Sequence, residues 1–150
     1  MFRGGTSINL DAKGRFAIPT RYRDFLLQHC NGEMVVTVDA NEDCLLIYPR
    51  PEWEDAQEQL EALPSFKKDA RRVQRMMIGY ATDIEMDGSG RLQLTPILRE
   101  HANLDKKSFM FGQGKKFEFW SEKNWNTTRA EMKNTSTSEE TSDELKSLSI

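Results

Sequence analysis

The chain has 150 residues, of which 30% are charged and 37% hydrophobic, and carries a net charge of −3. That length suits one ordinary domain or two very small ones, and the composition is that of a soluble globular chain with a modest core. No apolar run approaches the length needed to cross a bilayer. The start, MFRGGTSINL, lacks the basic-then-apolar pattern of an export signal. A negative total argues against a generally basic nucleic-acid binder.

The distribution of charge changes that view. Residues 1–23 hold Arg3, Lys13, Arg15, Arg21 and Arg23 against Asp11 alone, a local balance of +4. Residues 131–150 hold five acids against Lys133 and Lys146, a balance of −3. A chain polarised in this way can offer one face to a polyanion. Cys30 and Cys44 lie far apart, form no CxxC pair and read as small core residues of a reduced cytosolic protein. The sequons at Asn126–Thr128 and Asn134–Ser136 carry no meaning without export.

Read in chain order, the first element is a short strand leading into DAKGR at Asp11–Arg15. The same pattern returns as DGSGR at Asp87–Arg91, 76 positions later. The match extends to INLDAKGRFAIPTRYRDF (Ile8–Phe25) against IEMDGSGRLQLTPILREH (Ile84–His101). Further on, LLIYPRPEW ending at Trp53 aligns with FEFWSEKNW ending at Trp125, an offset of 72, so the second copy has lost four residues in between. An internal repeat of this kind sets the architecture before any local feature does. It divides the chain into modules at about 7–55 and 83–127, a helical linker at 56–82 and an acidic tail at 133–150.

Each module has one plan. After the turn comes an alternating strand, Phe16 and Ile18 in the first copy, Leu92 and Leu94 in the second. Pro19 or Pro96 stops it and suits the first turn of a short helix. A β-hairpin follows: MVVTVD and CLLIYP in one copy, KSFMFG and KFEFW in the other. A helix closes each module, the second with Ser121 as its expected N-cap. The linker SFKKDARRVQRMMIGYA reads as a packed helix with Ser65 able to cap it and Val73, Met76 and Met77 on its apolar stripe. The tail NTSTSEETSDELKSLSI is polar and acidic and has the composition of a disordered segment.

Several chemistries compete for the repeated pentapeptide. Asp11 and Asp87 can be read as a carboxylate pair for acid–base work. A structural role explains more: an Asp opening a turn accepts backbone N–H groups, Gly14 and Gly90 tolerate positive φ, and Arg15 and Arg91 can pair bidentately with the acids. No Ser/His/Asp set supports catalysis. His29, Cys30 and Cys44 have no zinc-ligand spacing, and neither GSGR nor GQGKK has phosphate-loop spacing, so no cofactor and no metal are expected. Arg71, Arg72 and Arg75 read as a solvated helix face, and Tyr48, Trp53, Trp120 and Trp125 as core. Nucleic-acid binding keeps a mechanism: Lys13 and Arg15 flank Gly14 in a turn able to project from a sheet, and Arg3 precedes it on a flexible, glycine-bearing arm. Basic tips of this kind contact phosphates and reach base edges.

MFRG, NLDAKGRFAIPTRYR and DGSGRLQLTP together resemble the MraZ family of bacterial transcriptional regulators, over nearly the whole chain up to the tail. The resemblance implies an α+β, mainly β fold: two tandem AbrB-like swapped-hairpin β-barrel modules forming a pseudo-dimer, with a short helix ending each module and a linker helix. It implies a non-enzymatic, sequence-specific binder of double-stranded DNA that assembles into homo-oligomeric rings. Such a protein sits in the cytoplasm at the nucleoid. It reads short direct repeats upstream of the division and cell-wall gene cluster, including its own promoter, and represses it. The DNA-contacting positions fall on Lys13, Arg15 and Arg91, with Arg3 beside them; Asp11, Gly14, Asp87 and Gly90 build the turns. The second copy departs from the first, with Ser89 in the place of Lys13 and Thr95-Pro96 in the place of Pro19-Thr20, so the two turns are not equivalent. The alternative is an AbrB-like antitoxin-type interaction module that captures a partner protein through its C-terminal tail.

Overall fold

Two short strands, one from each half of the chain, have no ladder partner in their own half. A computed structural model describes residues 1–135 and 142–150. In chain order the elements are β1 (Phe2–Asn9), β2 (Arg15–Ala17), α1 (Thr20–Cys30), β3 (Glu33–Val38), β4 (Leu45–Pro49), α2 (Arg50–Glu61) and α3 (Lys68–Met77). The second repeat supplies β5 (Thr82–Glu85), β6 (Arg91–Gln93), α4 (Pro96–His101), β7 (Lys107–Gly114), β8 (Phe117–Ser121), α5 (Glu122–Asn134) and α6 (Asp143–Lys146). The fold is mixed α+β, and sheet supplies most of its core.

Six strands form one antiparallel sheet in the order β1-β7-β8-β4-β3-β5, and β2 pairs with β6 in a separate ribbon. Apart from the hairpins β3–β4 and β7–β8, every pairing crosses between the repeats. β1 lies along β7, β5 lies along β3, β4 meets β8, and β2 meets β6 with Phe16 opposite Leu92. Two further bonds extend the ribbon symmetrically: Ile18 donates its backbone N–H to Gly90 O (2.9 Å) and Leu94 donates to Gly14 O (2.8 Å).

Strand periodicity sorts the side chains. Met34, Val36, Val38, Leu45, Ile47, Phe117 and Phe119 face the ribbon and enclose Phe16, Ile18, Leu92 and Leu94 in the main core. Their neighbours Val35, Cys44, Leu46, Tyr48 and Trp120 face the other way, under Trp53, Met77 and Trp125 of the helices. β3 and β4 are therefore covered on both faces, which is why MVVTV and LLIYP read as almost unbroken apolar runs rather than as alternation. Thr37 Oγ1 donates to Met77 O at 2.6 Å and ties the linker helix to the sheet. Both cysteines are free and buried.

The four residues missing from the second copy can be placed. α1 and α4 begin at equivalent positions, Thr20 and Pro96, and end before Asn31 and Asn103, the two non-glycine residues with positive φ among the described residues. The shorter helix has lost about one turn, which takes 3.6 residues.

Two expectations are corrected. Ser65 does not cap the linker helix: Lys67 stands at its N-cap without a side-chain hydrogen bond, because the chain first turns at 65–67, and Ser65 O instead accepts from Arg71 Nε at 3.1 Å. Nor is Arg3 on a flexible arm, since β1 is paired along its full length with β7, Phe2 is buried, and Tyr22 donates to Arg3 O at 2.6 Å. The glycines there serve close packing: a Cβ at Gly5 would meet the Phe111 ring at 2.6 Å, and one at Gly112 would meet Arg3 N at 2.3 Å. Ser121 does cap α5, its Oγ accepting from Asn124 N at 3.0 Å. Within the acidic tail, α6 forms a single turn capped by Ser142, and residues 136–141 lie outside the described residues.

Phe117 is 1% exposed and stacks on Phe2 at 4.1 Å and against Tyr22 at 5.0 Å, so it joins both repeats. Phe117→Ala is expected to cost about 3–5 kcal/mol, measured by urea unfolding.

Candidate nucleic-acid interface

The two pentapeptides close in the same way. Asp11 Oδ1 accepts the backbone N–H of Lys13 (3.0 Å) and of Arg15 (2.8 Å), while its Oδ2 accepts Arg15 Nε (2.9 Å). Asp87 repeats this with Ser89 N, Arg91 N and Arg91 Nε, each at 2.9 Å. The backbone shuts each loop from Asp11 N to Arg15 O and from Asp87 N to Arg91 O, both 2.9 Å. The aspartate thus organises its own loop. The fork-like pairing expected between acid and arginine is not formed, because Oδ1 is already taken by main-chain donors.

These bonds hold both carboxyls below the usual carboxylate range, chiefly through the backbone N–H of Arg15 for Asp11 and of Arg91 for Asp87. Each carboxylate is bound up in its own loop, and the two loops lie at opposite ends of the ribbon. They do not form an acid–base pair.

Gly14 has φ +80° and Gly90 has φ +75°. Both are buried although they belong to surface turns. A Cβ at Gly14 would lie 2.6 Å from Leu94 O and 2.6 Å from Arg99 Nε; one at Gly90 would lie 2.6 Å from Arg23 Nε. Each turn therefore rests directly on the other repeat.

The ribbon sets which side chains share a face. Phe16 and Leu92 point inward and are buried. Arg15, Ala17, Arg91 and Gln93 occupy the opposite, outer face. Arg15 stands opposite Gln93, so Arg91 is its diagonal neighbour, about 7–8 Å away. Lys13 is exposed at the tip of the first loop, and its carbonyl accepts Gln93 Nε2 at 3.0 Å. Lys13, Arg15 and Arg91 thus come together. Arg3 does not join them: it is exposed on β1, and the stretch from Arg3 to Asn9 alone spans about 20 Å of strand. Gln93, Arg23 and Arg99 were not anticipated at this face. The parity of positions 91 and 93 contained the signal for Gln93, and the 76-residue offset contained it for the two arginines.

Among the described residues, one group of metal-ligand type lies elsewhere. Ligand atoms of Asp39, Cys44 and Glu118 fall within 4.8 Å of one another. Asp39 already accepts Asn41 N (2.8 Å) and Glu42 N (3.0 Å), and Glu118 accepts Trp120 Nε1 (3.0 Å). Burial, with the Glu118 and Asp39 carboxylates adding to it, pushes the Cys44 thiol far up and holds it protonated at neutral pH. These contacts describe a structural corner of the hairpin.

Two copies of one turn, joined through a single ribbon that carries an arginine from each on its outer face, define a tandem-repeat protein. A family model described as "MraZ protein, putative antitoxin-like" matches residues 1–76 and again 77–148. A Saccharophagus degradans protein named "Transcriptional regulator MraZ" is 54% identical over 125 residues, covering 83% of this chain and 85% of its own length. Proteins of the same name from Pseudomonas putida and Pseudomonas aeruginosa are each 52% identical. The first covers 87% of this chain and 86% of its own, the second 84% and 83%. The chain belongs to the MraZ family.

Gly14→Ala is expected to destabilise the fold by more than about 1 kcal/mol, since both the positive φ and the Leu94 carbonyl oppose a side chain; thermal unfolding measures it. The two turn carboxylates, depressed in the folded state, stabilise the fold above their ordinary unfolded value of about 3.9, and this is lost as pH falls through the folded value. The double variant Asp11→Asn, Asp87→Asn is expected to be less stable than wild type at pH 7 and to lose less on going to pH 3, as read by urea unfolding at both values.

Proposed function

We propose that this chain is a sequence-specific regulator of transcription that places the outer face of its β2–β6 ribbon in the major groove of double-stranded DNA. One observation carries the reading: Arg15 and Arg91, from different repeats, are diagonal neighbours on the outer face of a two-stranded antiparallel ribbon. The major groove admits such a ribbon, and arginine reads the O6 and N7 edge of guanine through two donors. In each arginine Nε is committed to the turn aspartate, and the two terminal nitrogens have no protein acceptor among the described residues. Lys13 and the loop amides then serve the flanking phosphates.

The strand exchange between repeats supports assigning each repeat to the AbrB-like swapped-hairpin type, with the two forming a pseudo-dimer in one chain. One ribbon of a few residues makes few contacts. A ring of identical subunits multiplies them, and the second and later contacts become intramolecular, which raises apparent affinity. On this reading the operator consists of spaced direct repeats upstream of the division and cell-wall gene cluster, including the chain's own promoter. The outcome is repression, in the cytoplasm at the nucleoid. The names of the curated relatives support the regulatory role.

Footprinting on the DNA upstream of the chain's own gene is expected to give protected blocks at a constant spacing; uniform or absent protection contradicts the reading. In gel-shift titration Arg15→Ala is expected to cost about 1–3 kcal/mol on that DNA and little on an unrelated duplex, as removal of a base-reading side chain requires.

A further inference from the structure

Each aspartate of the repeated turn largely cancels the arginine it holds. In the first loop Asp11 is paired with Arg15 and only Lys13 remains in excess. In the second, Asp87 is paired with Arg91 and Ser89 replaces the lysine, so the loop itself has no net charge. A surface that must approach phosphates needs cations that are not already matched. Two such cations stand against the loops, and neither belongs to the repeat whose loop it touches.

Arg99, in α4 of the second repeat, packs against Gly14 of the first loop. Arg23, in α1 of the first repeat, packs against Gly90 of the second loop. Their separation is the repeat offset of 76. Both are half-buried and neither forms an ion pair among the described residues. Arg23 Nε donates to Ile18 O at 2.7 Å, whereas Arg99 Nε is buried without a partner among those residues. For both, the terminal nitrogens have no protein acceptor among the described residues and are not enclosed. The stems are clamped by the fold and the guanidinium ends are left open beside the loops.

From this geometry we infer that Arg23 and Arg99 are phosphate-contacting residues of the DNA face, each completing the loop of the opposite repeat. The inference rests on the DNA-binding reading above. The first contact set becomes Lys13, Arg15 and Arg99, and the second becomes Arg91 and Arg23, which restores to the second loop the positive charge that Ser89 removes. A side chain at 14 or 90, besides opposing the positive φ there, would also press on the arginine.

The test uses the full chain, the duplex from upstream of its own gene and an unrelated duplex of equal length. Binding is titrated over a series of salt concentrations. Arg99→Gln and Arg23→Gln keep much of the packing and remove the charge; Arg99→Lys and Arg23→Lys keep the charge. Each Gln variant is expected to bind both duplexes about fivefold more weakly at 0.15 M salt, with the slope of log affinity against log salt reduced by about 0.9 for each phosphate no longer neutralised. Each Lys variant is expected to keep the wild-type slope. Unchanged slopes in both Gln variants overturn the inference, as does equal weakening by Lys and Gln. Weakening confined to the upstream duplex overturns it too, because it would make the arginines positioning residues for base readers. If wild type binds neither duplex, the DNA reading itself fails, which is a separate result. A Gln variant that melts far below wild type is replaced by Arg→Met at the same position, with the same two outcomes read from it.

Discussion

The structure depends on one unmet requirement: a three-residue strand cannot satisfy its backbone or bury its face alone. β2 has neighbours of its own repeat before and after it in sequence, yet its ladder partner is β6. The bonds from Ile18 to Gly90 and from Leu94 to Gly14 continue that ladder into the turns, so each loop is pinned by the backbone of the other half. Buried N–H and C=O groups must be paired somewhere. Here the geometry that pairs them also interlocks the repeats. The long seams of β1 with β7 and β3 with β5 follow from it, and the shared core of Phe16, Leu92, Phe117 and Phe119 fills the space they enclose.

The same interlock makes the candidate interface a joint product. Neither loop could hold its shape without its own aspartate, and neither could sit where it does without the glycine that lets a foreign arginine, and at Gly14 a foreign carbonyl as well, come close. Local hydrogen bonding sets the conformation of each loop, and packing between repeats sets its position. Arg15 and Arg91 become neighbours only through the second of these.

Much of this was legible in the sequence because duplication is a strong signal. The two turns, the hairpins after them, the Ser121 cap and the inward Phe16 and Leu92 all follow from short-range rules applied twice. What the residues alone did not reveal was which strand pairs with which, since three-residue strands contain no pairing code; the exchange between repeats entered only through the family resemblance. That is also why Gln93, Arg23 and Arg99 were missed: their place at the face depends on a partner in the other repeat, distant in sequence. Arg3 was misjudged for a related reason. FRGGT has the glycines of a mobile arm, but they lie where β1 passes Phe111 and Gly112, and close approach, not freedom, is what they provide. Ser65 failed as a cap because a turn intervenes before α3 starts at Lys68.

The missing helical turn in α4 has a consequence for orientation. A perfect two-fold object presents the same aspect when rotated about its axis, and the natural counterpart of such an object on a duplex is a palindrome. This chain has the two-fold arrangement of its ribbon without the identity of its halves. One side is longer by a turn of helix and carries Lys13; the other is shorter and carries Ser89. The molecule therefore has a front and a back along its ribbon. On the DNA-binding reading proposed above, such readers laid down in a row keep a common heading where a row of symmetric ones would have none.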